Sequence, residues 1–486
     1  MDKITRWLPT FRGLIACAVV ATTMAPGPAK GNEPRPPAEQ HQDHAMHDGS
    51  AQTPPSGSSM TLADLEALAL KNNPTVAQAE ASVRASEGRR LQAGLFPNPV
   101  IGYEGDELAF RAFGDKSEHF FFVEQTIPLG GKLRKARRVF EQEAREEEVE
   151  TSAQRQRVLN AIRVLYYQAL GAQQQVDLRA ELAKVATEAT GTTGDLMNVG
   201  QADRPDYIEA QIEAEQVGLD LESARNNLAQ VWQMLASVAG VPDMQPVRLT
   251  GRLDEGIPPL DRASITTELL LNSPEVRTAK ADVDRARAAV VRAKAERTPD
   301  MFIRGGIGYS TELLDLPSGG IPARTGPEAN VQIGFNLPIF NRNQGNIATA
   351  EAELAIAERE VDRVGLALRA RIARAFSAYD TALSAVRRYR EVIVPGAAKA
   401  YELYLAKYRQ MAASYPQVLI AQRTMFQVRE SYVNALVNLR SQTVQIQGFL
   451  LAGGLDAPAE RPESQSVPMT AMPPASSPER GLTPER

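Results

Sequence analysis

Along much of the chain apolar residues return every three or four positions. Ala210, Ala214, Val217, Leu221, Ala224, Leu228, Val231 and Leu235 follow 4-3 spacing without a break. Ala421, Met425, Val428, Tyr432, Ala435, Leu439, Gln442 and Ile446 repeat it. A third run is Ala350, Leu354, Ala357, Val361, Val364 and Leu368, continued by Ala375, Ala378, Ala382 and Ala385. A sustained period near 3.5 residues predicts helices packed as coiled coils, and alanine in the seam lets backbones approach closely. The helices Gly131 to Met197 and Asn341 to Tyr408 would each hold roughly 67 residues, about 100 Å at 1.5 Å per residue. Each is expected to fold back on a partner helix, through Asn198–Pro205 and through Gln410–Pro416, where small residues and then proline suit a helix stop and restart.

Other segments alternate with a period of two. Asn330-Val331-Gln332-Ile333-Gly334-Phe335-Asn336-Leu337 switches between polar and apolar at every step. Met301, Ile303, Ile307 and Tyr309 share one face of a preceding strand, and Val100 to Phe110 and His119 to Ile127 form an equivalent pair. Runs of about nine to eleven residues are long enough to cross a bilayer as tilted strands, and they also suit a soluble hairpin with one buried face.

The two kinds of segment are arranged twice. Asn72-Asn73-Pro74-Thr75-Val76 returns as Asn272-Ser273-Pro274-Glu275-Val276, and Pro99 as Pro299, at an offset of 200. Ile127-Pro128-Leu129 returns as Leu337-Pro338-Ile339 at 210, and Pro205 and Ala210-Gln211 as Pro416 and Ala421-Gln422 at 211. The chain is therefore mixed but mainly α, two copies of a unit reading helix, β-hairpin, long helical hairpin. The copies are 60–240 and 261–455, joined by a Pro/Gly-rich linker at 241–260. Residues 30–59, rich in His and Pro, and residues 456–486 have the composition of disordered tails.

The first 29 residues read as an export signal. Lys3, Arg6 and Arg12 precede the apolar run Gly13–Ala25, and Gly27-Pro28-Ala29 offers small residues for cleavage. Cys17, the only cysteine, lies inside that run, too close to Arg12 for a lipoprotein signal of ordinary length. Elsewhere no apolar stretch approaches 18 residues, so no transmembrane helix is expected. A formal net charge of -5 gives no reason to expect nucleic acid. No nucleophile–base pair, zinc-ligand spacing or phosphate loop stands out: Gly305-Gly306-Ile307-Gly308 lacks a lysine and a following helix. Neither catalysis nor a cofactor is expected.

Four strands cannot close a transmembrane barrel, which needs about eight, and open sheet edges do not occur in lipid. If the strands span, several copies must combine. Two would give a barrel filled by its own side chains; three would give twelve strands and a lumen. Here the chain resembles the TolC-type outer-membrane efflux proteins, and in particular their heavy-metal (CzcC-like) branch. The resemblance covers residues 60 to 453. It rests on the duplication, on Phe120-Phe121-Phe122-Val123-Glu124-Gln125-Thr126-Ile127-Pro128-Leu129-Gly130-Gly131-Lys132, on Asn336-Leu337-Pro338-Ile339-Phe340-Asn341 and on the hairpin tips. It implies a homotrimer whose twelve-stranded β-barrel sits in outer-membrane lipid and continues as a periplasmic coiled-coil α-barrel. It also implies a periplasmic adaptor protein and a proton-driven inner-membrane pump of the resistance-nodulation-division type as partners. Heavy-metal cations are the expected cargo, with organic solutes or drugs as the alternative. A periplasmic coiled-coil adaptor is the competing reading of the helices.

The hairpin tips, at Gly200, Asp203 and Asp206 and at Ala412 and Ser414, are the candidate gate and adaptor contact. The resemblance implies acidic residues there that favour cations. The second tip departs from this, with no Asp or Glu between Glu402 and Glu430. Asp206 also suits the start of a helix. His41, His44, Met46 and His47 carry imidazole and thioether groups suited to weak capture of zinc, copper or cobalt. Lys132, Arg134, Lys135, Arg137 and Arg138 crowd a helix start, reading either as a belt near anionic headgroups or as a solvated face.

Overall fold

A computed structural model describes residues 59–106, 117–200, 203–314, 323–410 and 412–458. The segment read as an export signal, Cys17 and the four metal-ligand candidates at 41–47 lie outside the described residues.

The duplicated unit is visible, but the first helix of each copy is two helices. Helices α1 (Leu62–Asn72) and α2 (Pro74–Ala93) meet at Asn73, and α5 (Arg262–Asn272) and α6 (Pro274–Ala295) meet at Ser273. The proline forces the break. It cannot donate to the preceding turn, but it fits the first position of a new helix. Asn73 caps that helix by accepting from the Thr75 N–H at 2.9 Å, while its amide donates to the Val238 carbonyl at 2.8 Å.

Helix α3 (Lys132–Asn198) is one helix of 67 residues, and α4 (Arg204–Val238) runs back along it. In the second copy the long helix is interrupted. Helix α7 (Gln344–Arg388) passes through a π-helical turn (Tyr389–Ile393) into α8 (Val394–Arg409), with Pro395 just beyond the turn. A π turn frees backbone groups that the proline could not have bonded. Helix α9 (Tyr415–Gln447) returns against α7, α8 and α3.

The 4-3 seams face inward in all three runs, with one correction. Ala378 is exposed, and Phe376 and Tyr379 are buried in its place. From Leu368 through Ile372, Phe376, Tyr379 and Val386 the buried positions keep the 3.6-residue period of a straight helix, so the heptad frame drifts off the seam. The large core lies where α1, α3, α4, α7 and α9 meet the linker; Leu65, Ile162, Leu235, Leu253, Leu439 and Ile446 are fully buried there. Buried Arg440 of α9 holds the linker. Its guanidinium donates to the carbonyls of Leu253 at 2.9 Å and Gly256 at 3.2 Å, and to that of Glu255, and it stacks over the Tyr167 ring. A buried charge whose three nitrogens each donate to a backbone carbonyl fixes an otherwise irregular segment.

The strands β1 (Val100–Asp106), β2 (Glu118–Ile127), β3 (Met301–Leu314) and β4 (Ala323–Phe335) form one antiparallel sheet in the order β1-β2-β3-β4. β4 starts earlier than the alternation suggested and passes through Pro327. It is an edge strand, where a residue without an N–H is tolerated.

Candidate functional site: conduit wall, collar and tips

The sheet has two unlike faces. Register places Ile101, Val123, Gly305 and Val331 in one row and Tyr103, Phe121, Ile307 and Ala329 in the next. Ile303 and Ile333 follow on the same face. These large apolar side chains are exposed: Ile101 77%, Ile307 71% and Val331 77%. The opposite face carries Glu104, Glu124, Arg304, Glu328, Asn330 and Gln332. Three phenylalanines on this polar face lie over glycine: Phe122 stands opposite Gly102, Phe120 opposite Gly308 and Phe302 opposite Gly334. A Cβ at any of these glycines would collide with the ring. Arg304 pairs with Glu104 and stacks 3.7 Å from the Phe122 centroid. A soluble hairpin would bury its apolar face. Here that face is the open one, as lipid-facing strands require. Among the described residues the edge strands β1 and β4 each have a strand on one side only. No helix among the described residues is long and apolar enough to cross a membrane.

Where sheet turns into helix, Asp300 gathers three chain crossings. Its carboxylate accepts from the Leu129 N–H at 3.2 Å and pairs with the Lys132 ammonium at 2.8 Å, and its carbonyl accepts from the Asn336 N–H at 3.2 Å. Lys132 is buried and also reaches Glu296 at 3.3 Å. Gly130 and Gly131 make this approach possible with φ of 69° and 68°; a Cβ on Gly130 would stand 2.6 Å from the Thr298 hydroxyl. Lys132 is thus neither a headgroup contact nor a solvated cation; it clips the first copy to the second. Local sequence gave no sign of this, because the partner lies 168 positions further on.

At the first tip α3 ends at Asn198, Gly200 takes a left-handed φ of 76°, and Asp203 is the residue before α4. Asp203 is exposed and its side chain caps nothing; Asp206 lies in the first turn of α4, the favourable end of the helix dipole for a carboxylate. At the second tip the Ala412 N–H donates to the Lys407 carbonyl at 2.9 Å, and Ser414 precedes α9 without a side-chain cap. The nearby links between the hairpins escaped sequence reasoning. Arg423 of α9 donates to nearly buried Glu213 of α4 at 2.8 Å. Arg179 of α3 reaches Asp220 of α4 and Glu430 of α9, each at 2.8 Å. Among the described residues no three His, Cys, Asp or Glu side chains stand together as a metal site.

A sheet with an open apolar face and free edges, continued by helical hairpins of this length, defines an outer-membrane channel subunit. The outer membrane efflux protein family model matches residues 65–241 and 265–450, and the chain belongs to that family, whose members are transport conduits of the outer membrane with a periplasmic helical barrel and not enzymes. Such channels work in tripartite systems with an adaptor and a pump. The chain is 26% identical over 380 residues to the cobalt-zinc-cadmium resistance protein CzcC of Cupriavidus metallidurans, covering 78% of this chain and 86% of that protein. It is 24% identical to the pyoverdine export outer membrane protein OpmQ of Pseudomonas putida, covering 81% and 86%. The crystal structure of the open state of the Neisseria gonorrhoeae MtrE outer membrane channel superposes with a TM-score of 0.65 at 18% identity, covering 82% of this chain and 91% of that one.

Proposed function

We propose that three copies of this chain form the exit duct for heavy-metal cations, linked through the hairpin tips to a periplasmic adaptor and a proton-driven inner-membrane pump of the resistance-nodulation-division type. The observation that carries the reading is the four-stranded sheet with its apolar face exposed and both edges free. Three such sheets supply twelve strands, leave no edge in the lipid and turn the polar face inward around a lumen. The duct catalyses nothing; the pump supplies the energy, and opening of the tips admits the cargo.

The likeness to CzcC supports metal cations as cargo, and the likeness to OpmQ supports organic solutes as the alternative. The tip at Gly200, Asp203, Asp206, Ala412 and Ser414 meets the adaptor, with Asp203 placed to bias passage toward cations. His41, His44, Met46 and His47 add weak capture of borderline-soft cations.

The experiment is complementation of a host whose metal pump and adaptor are intact but whose duct gene is deleted. Restored growth in cobalt, zinc or cadmium is expected. Restored export of an organic solute with metal tolerance unchanged would replace the cargo. Deleting residues 41–48 should lower tolerance slightly; tolerance unchanged for every metal removes that segment from the pathway.

A further inference from the structure

The two copies of the repeat treat one junction differently. The offset of 210 that carries Ile127-Pro128-Leu129 onto Leu337-Pro338-Ile339 also carries Gly130 onto Phe340 and Lys132 onto Arg342. In the first copy the junction is covered: Gly130 lies against Thr298, and Lys132 is buried between Asp300 and Glu296. In the second copy nothing among the described residues covers it. Phe340 is 92% exposed, the most open large apolar side chain among them, and Leu337 and Ile339 are exposed beside it. Arg342 is exposed as well. Its Nε donates to the Ile339 carbonyl at 3.2 Å, and neither terminal nitrogen has an acceptor among the described residues. The repeat supplies no carboxylate for it either. At the offset of 200 the counterparts of Asp300 and Glu296 are Val100 and Phe96.

The loop is nevertheless built to hold this shape. The Arg342 N–H donates to the Gln344 side-chain oxygen at 2.7 Å, and the Gln344 amide donates back to the Phe340 carbonyl at 3.3 Å. The Asn343 N–H donates to the Asn341 side chain at 3.0 Å, and the Asn343 amide ties the loop to the Ala293 carbonyl of α6 at 2.9 Å. Phe340 is therefore presented to its surroundings by a fixed backbone. Its height is also defined. Phe335 ends β4 opposite Met301, on the same face as Ile333 and Val331. The ladder runs one step further, with the Asn336 N–H on the Asp300 carbonyl, so Leu337 extends the apolar row past the strand. Ile339, Phe340 and Arg342 follow where the lipid-facing sheet gives way to periplasmic helix. Exposed apolar side chains at that border suit acyl chains, and a guanidinium with its fork open suits a phosphate, to which it can donate two parallel bonds.

We propose that this loop is a binding site for an anionic glycerophospholipid of the periplasmic leaflet. The Arg342 guanidinium holds the phosphodiester, and Leu337, Ile339 and Phe340 lie along the acyl chains. Each copy carries one such site, which fixes the depth at which the sheet sits in the bilayer. The site rests on the duct reading, because it needs the sheet in lipid.

The test is fluorescence quenching of the full-length protein in liposomes of phosphatidylcholine and phosphatidylglycerol, with bromine on the acyl chains of one lipid or the other. Phe340→Trp reports the site, and Ile307→Trp, on the apolar face of the sheet, reports insertion. The wild-type protein supplies the background from Trp7 and buried Trp232. Phe340→Trp should be quenched by both lipids and more strongly by brominated phosphatidylglycerol. In Phe340→Trp/Arg342→Gln that preference should fall about fivefold, the worth of one basic residue at an anionic surface. Arg342→Lys in the same background keeps the charge and should keep most of the preference; loss with both substitutions would trace the effect to loop shape and overturn the headgroup site. Equal quenching of Phe340→Trp by the two lipids overturns the proposal. So does no quenching at all, the result if a second copy covers the loop. In either case a quenched Ile307→Trp leaves the duct standing. An unquenched Ile307→Trp overturns both.

Discussion

Ile307 lies near the middle of β3, with Phe121 on one side and Ala329 on the other, and 71% of its surface is open in the single chain. If that surface faces acyl chains, a lysine there carries a charge to the centre of the bilayer. The cost at such a depth is about 2–4 kcal/mol per chain, and each subunit of an assembled barrel bears it. Asn330 sits one row away on β4, opposite Gly306, and faces the other way. A lysine there meets water, so it escapes the midplane cost and should change stability little. Folding into liposomes from urea, followed by heat-modifiable mobility on gels, reads both variants against wild type. Ile307→Lys should shift the folding midpoint strongly and Asn330→Lys hardly at all. Equal costs at the two positions would mean that the sheet has no lipid side, and the channel reading would lose its basis.

The collar gives a second expectation. Lys132→Met and Asp300→Asn should each cost about 1–2 kcal/mol, and the double variant clearly less than their sum, because removing one partner strands the other. Additivity within about 0.3 kcal/mol would refute the clip. At the tip, Asp203→Asn should lower the cation preference of the open channel in bilayer recordings, and an unchanged reversal potential would remove Asp203 from the gate. The last expectation concerns acid. Hydrogen bonds from the Ser264 backbone and then its side chain hold the Asp261 carboxyl below the ordinary carboxylate range. A depressed folded-state pKa means that the cap is present above the ordinary carboxylate pKa and is lost as pH falls through the lower, folded value. Amide exchange across the start of α5, corrected for its intrinsic pH dependence, should therefore quicken in strong acid, and Asp261→Asn should abolish that step.

Much of this architecture was legible because period and repetition are global signals. The 3.5-residue seams marked α4, α7 and α9, glycine and proline punctuation bounded α3 to within a residue, and two-residue alternation separated the apolar side of the sheet from the polar side. What stayed hidden depends on tertiary partners or on local backbone chemistry. The Asn73-Pro74 and Ser273-Pro274 breaks were carried in the repeated motif itself, yet proline at the first turn of a helix looks the same whether the helix begins there or continues. The π turn before Pro395 has no side-chain signature. The buried role of Lys132 needs Asp300, and the hairpin links need Glu213 beside Arg423 and Glu430 beside Arg179; none of these pairs is local. The tip candidates were located, but their neighbours across the hairpins were not.

The most direct measurement is electrical and hydrodynamic together: the purified protein is weighed in mild detergent and then added to a planar bilayer. A particle of three chains that inserts and passes ions in discrete, reproducible steps is the expected result. A stable single chain that leaves the bilayer silent would contradict the account, because one sheet with two free edges has no other way to enclose a pore.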